Sequence, residues 1–392
     1  MKKLLMAGVI LISMVHCALA AQWTWHGAVR TFAGHYETDE NYIGGPNLDP
    51  TIGSPGRDDA GVFINLAGNS ILGTRADVSP HLTGAVELGL SNAAFEGRDD
   101  RYPPEGVYLR SLYGKYRLGS AILLLGKYYT PSTYLLYSTM TADLGDMGEA
   151  LFLSTAIPYA GRRAQLRFNM AGIDLAIVEH TVPNTTTITP IEDYDDADFV
   201  LPKIELAYQW NSPLLSLRPM AGYQTYEVEN NLASDSKTIT SLLYGLGVNL
   251  HLGNGRINMT AAKCTNPDQY GIKNIASPYA SIGSVRLVDG DLEDAQLLQS
   301  SFVINYKINE RLKVEGGYGY LKAEQKVAEG TDRELESTIW YANLPIYIGA
   351  NMEITPEIGA LDRGEVKENG DAVDDGTLGS MEWVSLRLAI SF

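Results

Sequence analysis

Apolar and polar residues alternate one by one along much of this chain. From Val384 to Phe392 every second residue is apolar (Val384, Leu386, Leu388, Ile390, Phe392), with Ser385, Arg387, Ala389 and Ser391 between them. A period of two gives a strand one greasy face and one small or polar face. The same reading sets Ile204, Leu206, Tyr208 and Trp210 against Lys203, Glu205 and Gln209. It sets Leu215, Leu217, Ala221 and Tyr223 against Ser216, Arg218 and Gln224, and Leu312, Val314, Tyr318 and Tyr320 against Lys313 and Glu315. Met352, Ile354 and Ile358 oppose Glu353, Thr355 and Glu357. The pattern predicts sixteen strands, over roughly 22–37, 60–78, 82–97, 105–117, 121–130, 159–170, 173–181, 200–210, 214–228, 237–252, 256–265, 296–308, 311–325, 334–349, 352–362 and 379–392. The fifth and seventh segments are apolar on both faces.

The connections sort into two kinds. Seven are tight: Ser79-Pro80-His81, Leu118-Gly119-Ser120, Ala171-Gly172, Asn211-Ser212-Pro213, Gly253-Asn254-Gly255, Ile308-Asn309-Glu310 and Ala350-Asn351. They use Gly and Asn where φ is positive and Pro where φ is fixed. The other eight, at about 38–59, 98–104, 131–158, 182–199, 229–236, 266–295, 326–333 and 363–378, are mostly longer and more polar. Long and short connections alternate throughout. An all-β, up-and-down antiparallel transmembrane barrel produces this pattern, with short periplasmic turns and long external loops. An even number of strands closes the sheet, so no edge faces lipid. A soluble sandwich or propeller would bury the apolar rows between sheets and would not alternate its loop lengths so regularly. Residues 21–392 read as one domain.

The first twenty residues read differently. Met1-Lys2-Lys3 is a basic start, Leu4 to Val15 is apolar except for Ser13, and Ala18-Leu19-Ala20 fits a small-x-small cleavage site. This is the pattern of a signal peptide over 1–20, with a run too short to span ~30 Å of hydrocarbon. Cys17 leaves with it, Cys264 remains alone, and no intrachain disulfide is expected. At the other end, the alternating row closed by Phe392 resembles the C-terminal signature of bacterial outer-membrane barrels, which the assembly machinery of that family reads.

Composition agrees with an exported β protein. The chain has 39 Gly, 23 Tyr and 20% charged residues. Without Lys2 and Lys3 it carries 28 basic against 47 acidic residues, a net charge of −19. That sign disfavours nucleic acid as a partner. Acid runs at 192–198, 289–294 and 371–375 read as solvated loops. No cofactor or metal motif is present in the sequence.

The stretch Val107 to Pro131, and within it Gly126-Lys127-Tyr128-Tyr129-Thr130-Pro131, resembles the sixteen-stranded general bacterial porins. There a Gly-Lys/Arg-x-x-x-Pro run leads into a third external loop that folds inward and narrows the pore. The resemblance implies that residues 131–158 form this loop, with Asp143, Asp146 and Glu149 as its acids. Gly161-Arg162-Arg163 follows. Arg163 and Arg167 share parity with Gln165 and Asn169, while Ala164, Leu166, Phe168 and Met170 take the lipid side. Arg30 alternates with His26 and Ala28, and Arg75 with Asn65 and Asp77. The resemblance thus implies a basic wall of Arg30, Arg75, Arg163 and Arg167 facing an acidic loop, a transverse field that tunes selectivity. It also implies a homotrimer among outer-membrane lipids.

Function follows from the pore. A sixteen-stranded barrel leaves an aqueous channel, so passive diffusion of ions and small hydrophilic solutes is expected. A substrate-specific channel, for a sugar or a carboxylate, is the alternative, and Tyr128, Tyr129, Tyr134 and Tyr137 would suit a sugar. A membrane hydrolase needs a nucleophile, base and orienting group together. Neither Gly-x-Ser-x-Gly nor His-Glu-x-x-His occurs. A plugged structural barrel is the remaining class.

Overall fold

The computed structural model describes residues 21–39, 59–66, 70–92, 105–133, 161–180, 194–199, 201–230, 235–270, 275–277, 280–282, 285–288 and 291–392. The proposed leader, residues 1–20, lies outside them. Sixteen strands run in chain order. They are β1 (Gln22–Thr38), β2 (Asp59–Leu66, continued by Ser70–Asp77), β3 (Leu82–Asn92), β4 (Glu105–Leu118), β5 (Ala121–Tyr129) and β6 (Arg162–Met170). Then come β7 (Ile173–Val178), β8 (Tyr194–Asp198, Lys203–Tyr208 and Trp210–Asn211), β9 (Leu215–Asn230), β10 (Asp235–Leu252) and β11 (Gly255–Thr265). The last five are β12 (Gln296–Asn309), β13 (Leu312–Ala328), β14 (Thr331–Asn343 with Ile346–Ile348), β15 (Met352–Asp362) and β16 (Ser380–Ser391).

Each strand pairs antiparallel with its sequence neighbours, and β16 pairs with β1 from Thr38↔Met381 to Ala28↔Ser391. The closing ladder is completed by Gly27 and Phe392, which exchange two backbone hydrogen bonds (2.8 and 3.0 Å). The expected barrel is therefore closed, and no unpaired edge remains for lipid to meet. At one end the strands join by tight turns. Ala171 and Gly172 both take positive φ (51° and 86°), the two-residue hairpin geometry that matches strand twist.

Two connections at the other end carry more structure than the sequence pattern predicts. The 363–378 segment forms a hairpin, Glu365–Glu368 with Asp371–Thr377, that extends the wall by pairing Arg333 with Glu368. The 266–295 segment contains a 3-10 turn, Pro267–Tyr270, and two further small hairpins. Long polar loops of low hydrophobicity give no periodic signal, so neither was legible from alternation.

The outward rows are apolar and exposed, as in Leu242, Tyr244 and Leu246 of β10 or Val384, Leu386, Leu388 and Ile390 of β16. This is the lipid-facing band expected of a membrane barrel. The inward rows hold a difference from expectation. A water-filled lumen predicts polar residues throughout, yet many inward residues of β9–β16 are apolar and buried. Tyr226, Val228, Ile239, Leu243, Leu297, Leu335, Ile339 and Leu361 are examples. Three of them, Tyr226, Val228 and Ile239, form a cluster inside the barrel with Val285 of the 266–295 connection, and Leu292 of that connection packs against it. In the doubly apolar fifth and seventh segments Leu124, Ala176 and Val178 face inward and are buried.

Leu388 sits midway along the apolar row of β16. Leu388→Arg is expected to destabilise the barrel by about 2–4 kcal/mol in urea titrations of lipid-embedded protein, because a cation is forced into hydrocarbon. An unchanged midpoint would remove β16 from the lipid-facing wall.

Candidate functional site

The site begins at Gly126. It takes φ of 126°, and a Cβ there would strike the carbonyl oxygen of Leu112 on β4. Only glycine lets β5 approach β4 so closely. Beyond it the chain turns at Thr130, whose carbonyl accepts from the Thr133 N–H (3.1 Å). Thr130, Ser132 and Thr133 are buried. From this turn the chain leaves the wall. The Ser132 N–H donates to Glu205 Oε2 of β8 (2.9 Å), and Arg218 Nη2 of β9 donates to the Pro131 carbonyl (3.0 Å). Residues that follow β5 in sequence thus touch the inner face three and four strands away. Asp143, Asp146 and Glu149 lie outside the described residues.

Around this entry the inner wall is charged. Arg167 and Arg218 share one carboxylate, Asp174 of β7. Arg167 Nε is 2.9 Å from its Oδ1, Arg218 Nη2 is 3.3 Å from its Oδ2, and Asn169 also donates to it (2.6 Å). Two guanidinium groups on one carboxylate leave a positive surplus. Lys115 adds to it. Among the described residues its partners are rings, with its ammonium 4.8 Å from the Tyr113 centroid and 4.9 Å from that of Tyr128. The two rings meet edge to face at 4.6 Å, a pairing that favours a cation above them.

The four basic residues expected on the wall are placed as follows. Arg167 is held by Asp174. Arg163 pairs across from Tyr128 and shares the inward face of β6 with Gln165 and Arg167. Arg75 lies near the short-turn end, 2.8 Å from Asp77, which also accepts from the Thr83 hydroxyl (2.9 Å). Arg30 lies farther around, its backbone N–H and carbonyl both bonded to the Ser70 hydroxyl (2.9 and 3.1 Å). Arg110, not singled out by sequence, pairs with Glu87 at 2.9 Å. His26, on the same face, is 3.7 Å from that carboxylate.

Sequence reasoning also missed the ion pair Lys203–Glu205 (2.9 Å), both members fully buried. Their shared parity was visible, but nothing in the sequence says that two loops cover them. A second buried network runs along β13–β16. Tyr341 donates to Glu315 (3.0 Å), while Trp383 and Asn343 donate to the two oxygens of Glu357 (3.0 and 3.1 Å). The tyrosine and tryptophan rings lie over Gly317 and Gly359, where a side chain would collide. Among the described residues no three His, Cys, Asp or Glu side chains converge as metal ligands.

No family model matches the chain, and no curated protein matches it. Solved structures do. The outer membrane channel DcaP of Acinetobacter baumannii superposes with a TM-score of 0.64 at 16% identity, covering 95% of this chain and 98% of that one. An anion-selective porin from Comamonas acidovorans gives 0.58 at 13%, covering 95% and 100%. The trimer form of OmpT, an outer membrane protein of Vibrio cholerae, gives 0.53 at 13%, covering 94% and 99%. The fold is that of an outer-membrane porin. At such low identity the porin fold is what the likeness carries. The charged entry described above rests on this chain's own residues.

Within this porin fold Asp174 holds two arginines at once. Asp174→Asn leaves two arginines without their carboxylate and is expected to cost about 3 kcal/mol in unfolding titrations. Asp77→Asn, at an exposed pair, is expected to leave the midpoint unchanged. Equal effects would show that Asp174 does not organise the wall.

Proposed function

We propose that this chain is an outer-membrane porin, exported with removal of residues 1–20, that admits ions and small hydrophilic solutes by passive diffusion and performs no catalysis. One observation carries the reading: residues 130–133 cross inside the barrel to Glu205 and Arg218, beside a wall that carries surplus positive charge. The rest of the 131–158 connection then continues in the lumen and narrows it. Its acids, Asp143, Asp146 and Glu149, stand opposite Arg163, Arg167, Arg75 and Arg30, and selectivity follows the charges at this narrowing rather than the total.

Three further parts complete the proposal. The outward apolar rows contact outer-membrane lipid, with 21–392 as one domain. The protein assembles as a homotrimer, supported by the trimer form of the similarly folded OmpT. The Val384–Phe392 row guides assembly of the barrel. No cofactor is required for diffusion. A solute-specific channel is the second reading, favoured by the Tyr113–Tyr128 pair under Lys115. Saturable block of the current by one solute class would select it.

Reversal potentials in a salt gradient across planar bilayers test the assignment. Arg163→Ala and Lys115→Met each remove a lumen cation, so both are expected to move selectivity toward cations. Reversal potentials identical to wild type would take these residues out of the solute path.

A further inference from the structure

The connection between β11 and β12 also enters the barrel, by a different anchor. Asn266 closes its neck. Its side-chain amide donates to the Thr240 carbonyl (2.9 Å) and to Asp294 (2.7 Å), and its side-chain oxygen accepts from the Ala295 N–H (3.0 Å). The 3-10 turn that follows projects Tyr270 across β10 to the inner face of β9. There the ring lies on Gly222, where a Cβ would come within 2.6 Å of it. The Lys203 ammonium of β8 stands 4.3 Å from the ring centroid. Tyr270, Lys203 and Glu205 are all fully buried. Farther along, Val285 and Leu292 of the same connection pack with Tyr226, Val228, Ile239 and Phe199.

Three features make this a fixed attachment. A glycine at 222 vacates the space that the ring fills, and any larger residue would push it out. The buried ammonium gains the ring face as well as Glu205, and cation–ring attraction strengthens when water is excluded. The apolar inner rows of β9 and β10 would be wet without a cover, which the hydrophobic effect opposes. Glu205, the partner of Lys203, also accepts the Ser132 N–H. One buried ion pair therefore holds both inward connections.

We propose that the 266–295 connection is a second constriction element, pinned by Tyr270 between Gly222 and the Lys203–Glu205 pair. It closes the lumen along β8–β12 and confines solutes to the charged side along β1–β6. This rests on the channel reading for its consequence, but the pinning can be tested without it.

Cys264 supplies the probe. Cys17 and Cys264 are the two cysteines of the chain, and Cys264 faces inward with 1% exposure. It shares a cross-strand row with Gly222 through Leu243. The mature chain, residues 21–392, which lacks Cys17, is refolded, checked by heat-modifiable gel mobility and treated with a water-soluble maleimide. Tyr270→Ala is expected to label at least roughly tenfold faster than wild type, since a thiol reacts in proportion to how often its cover opens. Gly222→Val keeps the tyrosine but displaces it, and is expected to label faster as well. It serves if Tyr270→Ala fails to assemble. In planar bilayers the same variants are expected to conduct more than wild type. Unchanged labelling in a folded variant overturns the pinning. Faster labelling with unchanged conductance overturns the constriction. A wild-type protein that gives no current removes the channel reading instead, and the labelling rates still decide whether Tyr270 pins the connection.

Discussion

A bilayer interior offers no water to hydrogen-bond a backbone amide, so every N–H and C=O that crosses it must find a partner within the protein. The ladder between β1 and β16 satisfies this requirement for the strands that would otherwise be edges. It runs from Thr38↔Met381 to Ala28↔Ser391 and joins residues from opposite ends of the sequence. Without it the sheet would present two open edges to lipid, and the inner surface would have no inside. The lumen, its charged wall and its covering connections all exist because this seam closes.

Closure sets a second problem. Sixteen strands enclose more space than their own inward side chains fill, and the chain treats the two sides of that space differently. From β4 round to β9 the inner face carries charged and aromatic groups, with Lys115 over Tyr113 and Tyr128 and a carboxylate of β7 shared by Arg167 and Arg218. Along β9–β16 buried apolar residues such as Tyr226, Ile239 and Leu335 stand beside buried polar and charged ones such as Gln224, Glu315 and Glu357. At β8, between the two inward connections, Lys203 and Glu205 are buried as a pair to which both connections attach. A buried ion pair contributes little stability over an apolar substitute, but removing one member costs several kcal/mol. Such a pair is better suited to fixing the position of what it binds than to strengthening the barrel. The aromatic rings that rest on glycines, Tyr270 on Gly222, Tyr341 on Gly317 and Trp383 on Gly359, fix position in the same way by shape.

The sequence alone carried the strand count, the alternation of short and long connections, and the parity of Arg163, Arg167 and Arg75. These are local properties: a period of two assigns each side chain to a face without knowledge of any neighbour. Gly126 was legible as part of a motif, although its reason, the close approach of Leu112, was not. The partners of those charges lay beyond it. Asp174 is near Arg167 in sequence but far from Arg218, and the pairing of both depends on how β6, β7 and β9 curve around one lumen. The apolar inner rows could be seen as segments apolar on both faces, yet alternation gave no means of saying what would cover them. Lys203, Glu205 and Tyr270 come from β8 and a connection more than sixty residues later, and only tertiary structure brings them together. Face is decided by the geometry of one strand, whereas the emptiness or filling of the lumen is decided by where distant loops find apolar surface to bury.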